Sequence, residues 1–290
     1  MALTINTNMG SLVVQHNLDA ATKSLNTSIE RMSTGYKINQ AADDAAGYAV
    51  ATKMDTLLSS TTVAQSNVQM GQTLLSTAES NYDLIISHLQ RIRDLAEQGA
   101  NGTYGEESLD AMKAEVTERF NEIDRIANST EYNGIKLMDG STTGANAATN
   151  GISLQVGVAA DTNSQITLSN TLFASAKSAD LVGTVSDITG KFVVTTTAAN
   201  WNTTIAAIDD GIKEVTTRQT NIGAAQNRLE SAGSALVVQF DNLTSSLSTI
   251  KDTDIAAESS NFIKAQILQQ ASASLLATAN QTPSIALNLV

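Results

Sequence analysis

From Val50 onward the apolar positions advance in alternating steps of four and three. They run Met54, Leu57, Thr61, Ala64, Val68, Gly71, Leu75, Ala78, Tyr82, Ile85, Leu89, Ile92 and Ala96. Twelve of these fourteen positions are apolar, with Thr61 and Gly71 the exceptions, and the alternation holds over 47 residues. Such persistence is a heptad seam, long enough for roughly 70 Å of helix. A second seam of similar length begins at Ile205. It continues through Ile208, Ile212, Val215, Gln219, Ile222, Gln226, Leu229, Gly233, Leu236, Phe240, Leu243, Leu247 and Ile250. Two seams of matched length predict an out-and-back antiparallel pair. Residues 56–78 carry no charge, so packing rather than intrinsic helicity must hold this stretch.

A shorter amphipathic run, Leu109, Met112, Val116, Phe120, Ile123 and Ala127, follows the turn at residues 101–105 and predicts a helix folding back on the first. Glu115 and Arg119 form an i,i+4 pair on its outer side. Between residues 133 and 200 the pattern changes. Asn133-Gly134, Asp139-Gly140 and Asn150-Gly151 are turn signals. Ile152, Leu154, Val156 and Val158 alternate, as do Ile166 and Leu168 beyond Asp161-Thr162-Asn163, predicting a hairpin. Residues 169–200 are rich in Thr, Ala and Ser, with one short strand expected at Phe192-Val193-Val194. The fold class expected is mainly α: a long antiparallel helical bundle or coiled coil drawn from both chain ends, with a small β-hairpin-containing middle. The divisions fall at residues 1–42, 43–140, 141–200, 201–251 and 252–290.

Both termini lack charge: no Asp, Glu, Lys or Arg occurs in residues 1–18 or 265–290. Each repeats apolar residues at helical spacing, with Leu18, Ala21, Leu25, Ile29 and Met32 at one end and Leu268, Ala271 and Leu275 at the other. Such ends cannot bury enough area alone and call for a partner to fold against. Leu18, Leu25, Met32, Leu268 and Leu275 are the expected assembly seam. Residues 1–40 and 252–290 are expected to be unstructured in an isolated chain and helical once partnered.

Charge and composition exclude several classes. The net charge is −12, from 17 basic and 29 acidic residues, and no Lys/Arg cluster occurs, which disfavours nucleic acid. The uncharged C-terminal run is too polar to span a membrane, and the first residues lack the features of a Sec signal. There is no Cys, so disulfides and thiolate metal sites are excluded. His16 and His88 have no metal-ligand spacing, and Asp43-Asp44 reads as a helix cap rather than a carboxylate pair. Arg91 and Arg93 stand beside Asp94 and Glu97, where ion pairing within the helix is expected. No nucleotide-loop or nucleophile-elbow pattern occurs. No cofactor, metal or enzymatic activity is expected.

Several longer strings carry a resemblance. They are residues 3–8 (Leu3-Thr4-Ile5-Asn6-Thr7-Asn8), residues 29–39 (beginning Ile29-Glu30-Arg31-Met32-Ser33), and Ala42-Asp43-Asp44-Ala45-Ala46-Gly47. Leu89-Gln90-Arg91-Ile92-Arg93-Asp94-Leu95-Ala96 continues them, as do Asn121-Glu122-Ile123-Asp124 and Tyr132-Asn133-Gly134. Ile222-Gly223-Ala224-Ala225-Gln226-Asn227, Lys264-Ala265-Gln266-Ile267-Leu268-Gln269-Gln270 and Ala279-Asn280-Gln281-Thr282-Pro283 complete the set. Together they resemble bacterial flagellin over about residues 1–140 and 202–290. Departures are small: Glu97 stands where a neutral residue is common, and the chain ends Asn288-Leu289-Val290.

The resemblance implies a subunit of the bacterial flagellar filament, extracellular and exported through the flagellar type III apparatus without a Sec signal peptide. Implied partners are copies of itself, a flagellin export chaperone, the filament cap and hook-junction proteins, and the vertebrate flagellin-sensing Toll-like receptor. Arg91, Leu95 and Glu115 match the family's receptor-recognition and axial-packing residues and are expected to be exposed in a monomer. The terminal segments would form an inner tube, the next helices an outer tube, and residues 171–198 a surface loop that tolerates deletion. The alternatives are a hook–filament junction protein of the same family, a flagellin carrying a catalytic insert, and a coiled-coil adhesin or effector.

Overall fold

The computed structural model describes residues 8–140, 151–159, 161–183, 185–193, 196 and 198–287. Expectations at residues 3–7, Asn150, Val194 and residues 288–290 lie outside these. The elements are α1 (Met9–Thr34), α2 (Ala45–Gly99), α3 (Glu106–Ser129), β1 (Glu131–Tyr132), β2 (Ile135–Lys136), β3 (Ile152–Gln155), β4 (Gln165–Leu168), α4 (Ser178–Val182), α5 (Val185–Thr189), α6 (Ala198–Lys251) and α7 (Ile255–Leu287). The fold is mainly α, with long helices and two small antiparallel hairpins. The chain divides into two compact units, one of Met1–Leu58 with Asp241–Val290 and one of Ser59–Phe240.

Helix ends follow their capping chemistry. Asn8 accepts from the Ser11 amide at 3.1 Å to open α1. Gly35, at φ 77°, closes it by donating its amide to the Arg31 carbonyl at 2.9 Å. Asp44 Oδ1 caps α2 through the Ala46 and Gly47 amides, as the sequence led us to expect of this dipeptide. Its neighbour Asp43 instead staples the preceding turn through the Asn39 and Gln40 amides. Asp254 caps α7 as Asp44 caps α2, through the Ala256 and Ala257 amides.

In the unit of residues 59–240, α2 and α6 run antiparallel, as Gln219 bonded to Asp83 and Gln226 bonded to Glu79 require. The two glutamines that interrupt the second seam therefore pair across it. From Thr61 to Ala96 every heptad position of α2 is buried, and Leu75, Ala78, Tyr82, Ile85, Leu89 and Ile92 are wholly inaccessible. On α6 burial recurs every seventh residue, at Ile208, Val215, Ile222, Leu229 and Leu236. Helix α3 adds Leu109, Met112, Val116, Phe120, Ile123 and Ala127, the whole predicted stripe.

The hairpins form where turn and alternation predict them. Asn133 (φ 49°) and Gly134 (φ 78°) make the tight turn between β1 and β2. Strands β3 and β4 pair with Ile152 opposite Leu168 and Leu154 opposite Ile166, which sends Ile166 and Leu168 inward.

Residues 169–193 depart from expectation. Phe192 and Val193 form no strand; the segment is a 3-10 turn (Asn170–Phe173) followed by the short helices α4 and α5. It is also no detachable loop. Leu172, Phe173, Ala176, Leu181, Val182, Ile188 and Phe192 are buried in the main core. Phe192 meets Trp201 edge-to-face with centroids 4.9 Å apart. The Tyr82 hydroxyl donates to the Leu172 carbonyl at 2.9 Å, and Arg218 Nη1 donates to the Ala174 and Ser175 carbonyls, each at 2.9 Å. Sequence pattern missed this because α-helical and 3-10 turns of four or five residues are too short to show a period.

The other unit is packed differently. Helices α1 and α7 lie antiparallel, tied by Asn8 to the Ala279 carbonyl (2.8 Å), Thr22 to Gln269 (3.2 Å) and Ser28 to Glu258 (2.5 Å). The buried side chains are Ala21 and Ser28 on α1, and Glu258, Ala265 and Ser272 on α7. Each set is spaced by seven. Among the described residues the fully buried seam positions are thus small or polar, with Leu18, Leu25 and Met32 half-buried beside them.

Candidate functional site

Two surfaces carry the residues singled out from the sequence. The first is a charged cluster between α2 and α3, in the unit of residues 59–240. Heptad packing turns Ile92 inward, which leaves Arg91 beside α3 rather than buried in the seam. Arg91 donates from Nε to Glu115 Oε1 at 3.0 Å and from Nη2 to Oε2 at 3.4 Å. Arg119, one turn after Glu115, donates to Oε1 from Nε at 3.0 Å and from Nη2 at 2.8 Å. One carboxylate thus holds two guanidiniums. The hydrogen bonds from Arg91 and then Arg119 keep its carboxyl below the ordinary glutamate range. His88 stands 3.5 Å from Arg119 Nη1, and burial followed by that neighbouring charge pushes its imidazole down.

Sequence reasoning anticipated the Glu115–Arg119 pair but assigned Arg91 to ion pairing within its own helix. The structure assigns Arg91 across to α3. Arg93 does make the expected pair within α2, with Glu97 at 2.7 Å, and also reaches Asp209 on α6 at 2.6 Å. Leu95 is the second correction. It is 2% exposed and belongs to the main core, so of Arg91, Leu95 and Glu115, the three residues expected to be exposed, only Arg91 and Glu115 present side chains to solvent. Its place beside Ala96 at a seam position signals that burial in the sequence itself.

The second surface lies on the terminal pair. Leu18, Leu25 and Met32 are half-buried, whereas Leu268 and Leu275 are 48% and 57% exposed. Leu12, Val13, Ile29, Ile263 and Ile267 are exposed as well. The helices therefore turn small residues toward each other and many of their large apolar ones outward. Glu258 and Ser28, buried at the α1–α7 seam, escaped the sequence reading because a heptad of Ala and Ser carries no hydrophobic signal.

Among the described residues no group of three or more His, Asp or Glu side chains could hold a metal ion, and no helix is long and apolar enough to cross a membrane.

Residues 5–143 match the bacterial flagellin N-terminal helical region and residues 205–290 its C-terminal helical region. The chain is 36% identical to a flagellin of Listeria innocua over 287 residues, covering 99% of both chains. It is 33% identical to the flagellar filament 30.7 kDa core protein of Treponema maltophilum over 276 residues, 95% of each. A flagellar hook-associated protein of Vibrio parahaemolyticus has a similar solved structure, with TM-score 0.60, 18% identity, and coverage of 72% of this chain and all of that one. At that identity the likeness shows the fold alone. The matched regions take in both long seams and both termini, and on that ground the chain belongs to the bacterial flagellin family.

Proposed function

We propose that this chain is the structural subunit of a bacterial flagellar filament, polymerising with copies of itself to serve motility. The observation that carries the reading is the packing of α1 and α7, which bury Ala and Ser between them and expose Leu12, Val13, Ile29, Ile263, Ile267, Leu268 and Leu275. Exposed apolar rows on helices from both ends of one chain need covering on several sides, and neighbouring subunits cover them. Relatives named as filament core proteins support the filament over the hook junction.

In this reading residues 1–42 and 252–290 form the inner tube, with Leu18, Leu25, Met32, Leu268 and Leu275 at subunit contacts. Residues 43–140 and 201–251 form the surrounding rod, into whose core the segment of residues 169–193 packs. Export through the flagellar type III apparatus, with a chaperone before and cap and hook-junction proteins after, belongs to the same reading, as does an extracellular location. Arg91 and Glu115 would contact the vertebrate flagellin-sensing Toll-like receptor from the monomer and be covered in the filament. The function is structural rather than enzymatic.

Seeding purified chain with filament fragments and imaging by electron microscopy tests the central claim. Helical tubes that lengthen with added chain are expected. Seeds that fail to grow at any concentration would remove the filament assignment.

A further inference from the structure

The seam between α1 and α7 poses a problem of register. Among the described residues its buried positions are Ala21 and Ser28 on one helix and Glu258, Ala265 and Ser272 on the other, flanked by the half-buried Leu18, Leu25 and Met32, which repeat at the same interval of seven. Small residues permit close approach but slide past one another at little cost, so apolar packing alone does not select one offset. Helix α7 is tied to α6 by residues 252–254, whereas α1 hangs on the longer connector of residues 35–44. Helix α1 therefore has the longer tether of the two. The connectors meet through backbone, the Thr253 amide to the Gly35 carbonyl at 2.9 Å and the Lys37 amide to the Lys251 carbonyl at 2.7 Å, and through side chains, with Lys37 Nζ donating to the Thr249 carbonyl at 2.9 Å and Lys251 Nζ 4.6 Å from the Tyr36 ring centroid. The backbone bonds ask for no particular residue, and the side-chain contacts lie outside the α1–α7 seam itself.

One layer is different. Glu258 is 7% exposed, Ser28 is 3% exposed, and the serine hydroxyl donates to Glu258 Oε1 at 2.5 Å. Arg31 Nη1 lies 3.8 Å from the other carboxylate oxygen. We infer that the buried Ser28–Glu258 pair, with Arg31, is a register lock that specifies how the two terminal helices align.

The argument is one of unmet partners. In antiparallel pairing a step of seven along α1 matches a step of seven back along α7. The native register therefore aligns Ser28 with Glu258, Ala21 with Ala265, and Val14 with Ser272. Sliding α1 by one heptad brings Ala21 to Glu258, and a methyl group cannot donate to a carboxylate. The acid is then buried without its hydrogen bond, which costs far more than the lost apolar contact. Sliding the other way carries Glu258 past the end of α1 at Gly35. A single polar pair that fixes register at some cost in stability is the best-attested use of buried polar groups in helical seams. On the filament reading the consequence is geometric: a heptad slip displaces Leu12, Val13 and Ile29 against Ile263 and Ile267 by about 10 Å, so a neighbouring subunit meets a different surface.

The absence of cysteine makes the register directly measurable. Val14→Cys with Ser272→Cys reports the native alignment, and Val14→Cys with Ala265→Cys reports the slipped one. Both pairs are oxidised in the full chain, as soluble protein and as seeded filament, and intrachain cross-links are quantified after dissociation. In the otherwise unaltered chain the native pair closes and the slipped pair stays at background. Glu258→Ala raises the slipped cross-link roughly fivefold or more, while Glu258→Gln, which still accepts from Ser28, holds it near background. Ala21→Ser is the complementary variant, because it leaves every native contact in place and gives the slipped register a donor. It too raises the slipped product. Slipped product at background in both Glu258→Ala and Ala21→Ser, or a native pair that closes in neither state, overturns the lock. The cross-link forms within one chain, so loss of polymerisation without change in the cross-link counts against the filament reading instead.

Discussion

Replacing Phe173 by Ala tests whether residues 169–193 are part of the core or a removable surface loop. Phe173 is wholly inaccessible and sits among core side chains, next to Leu172, whose carbonyl accepts the buried Tyr82 hydroxyl. Truncating a buried Phe to Ala removes its transfer free energy and leaves a cavity, together about 3–5 kcal/mol. Domains of ordinary stability have only about 5–15 kcal/mol in total, so the loss is a large share. With a urea slope of about 2 kcal/mol per molar, the unfolding midpoint falls by roughly 2 M. Circular dichroism and Trp201 fluorescence, followed at concentrations below polymerisation, measure it; Trp201 reports directly because it packs on Phe192 of the same segment. Thr171→Ala, at an exposed neighbouring position, should change stability by no more than about 0.5 kcal/mol. Deleting residues 171–193 should be worse than Phe173→Ala, because it also strips Arg218 of the Ala174 and Ser175 carbonyls. A Phe173→Ala loss under about 1 kcal/mol, or a deletion that unfolds at the parent midpoint, would refute the reasoning.

Four other outcomes are expected. In the monomer, amides of residues 12–25 and 267–276 should exchange at near random-coil rates while those of residues 63–75 stay protected, and all three should be slow in filaments; strong terminal protection in a verified monomer would count against folding on assembly. Gly99→Ala should destabilise by about 1–3 kcal/mol despite its better helix propensity, since the new methyl would stand 2.5 Å from the Trp201 ring, whereas Gly102→Ala meets nothing within 4 Å and should be near neutral in the same melts. The Glu115 carboxyl should titrate below the ordinary glutamate range by NMR, because Arg91 and Arg119 hydrogen-bond its charged form; its folded pKa is depressed, so the ion pairs stabilise above the unfolded value and that contribution is lost as pH falls through the folded one. Arg91→Ala should weaken receptor activation by more than about tenfold, on the order of 1.4 kcal/mol, with a melt lowered by no more than a partly exposed ion pair is worth, about 1 kcal/mol or less, while Leu95→Ala should lower both substantially, because Leu95 is 2% exposed.

The long helices, their antiparallel pairing and both hairpins were legible in the sequence, because heptad spacing, alternation and Asn-Gly turns are local or periodic signals that solvent exclusion imposes residue by residue. The uncharged ends and the family strings likewise pointed to self-assembly without coordinates. Tertiary structure decided what has no period. It folded residues 169–193 into the core through turns too short to show a repeat, and it carried Arg91 across to Glu115 on the next helix. It also placed Ala21, Ser28, Glu258, Ala265 and Ser272 inside the terminal seam while leaving Leu268 and Leu275 outside. Hydrophobic spacing ranks residues by what they would gain from burial. Which faces of α1 and α7 meet depends on how closely two backbones approach, and that is set by small side chains and one buried hydrogen bond that a hydrophobicity pattern does not register.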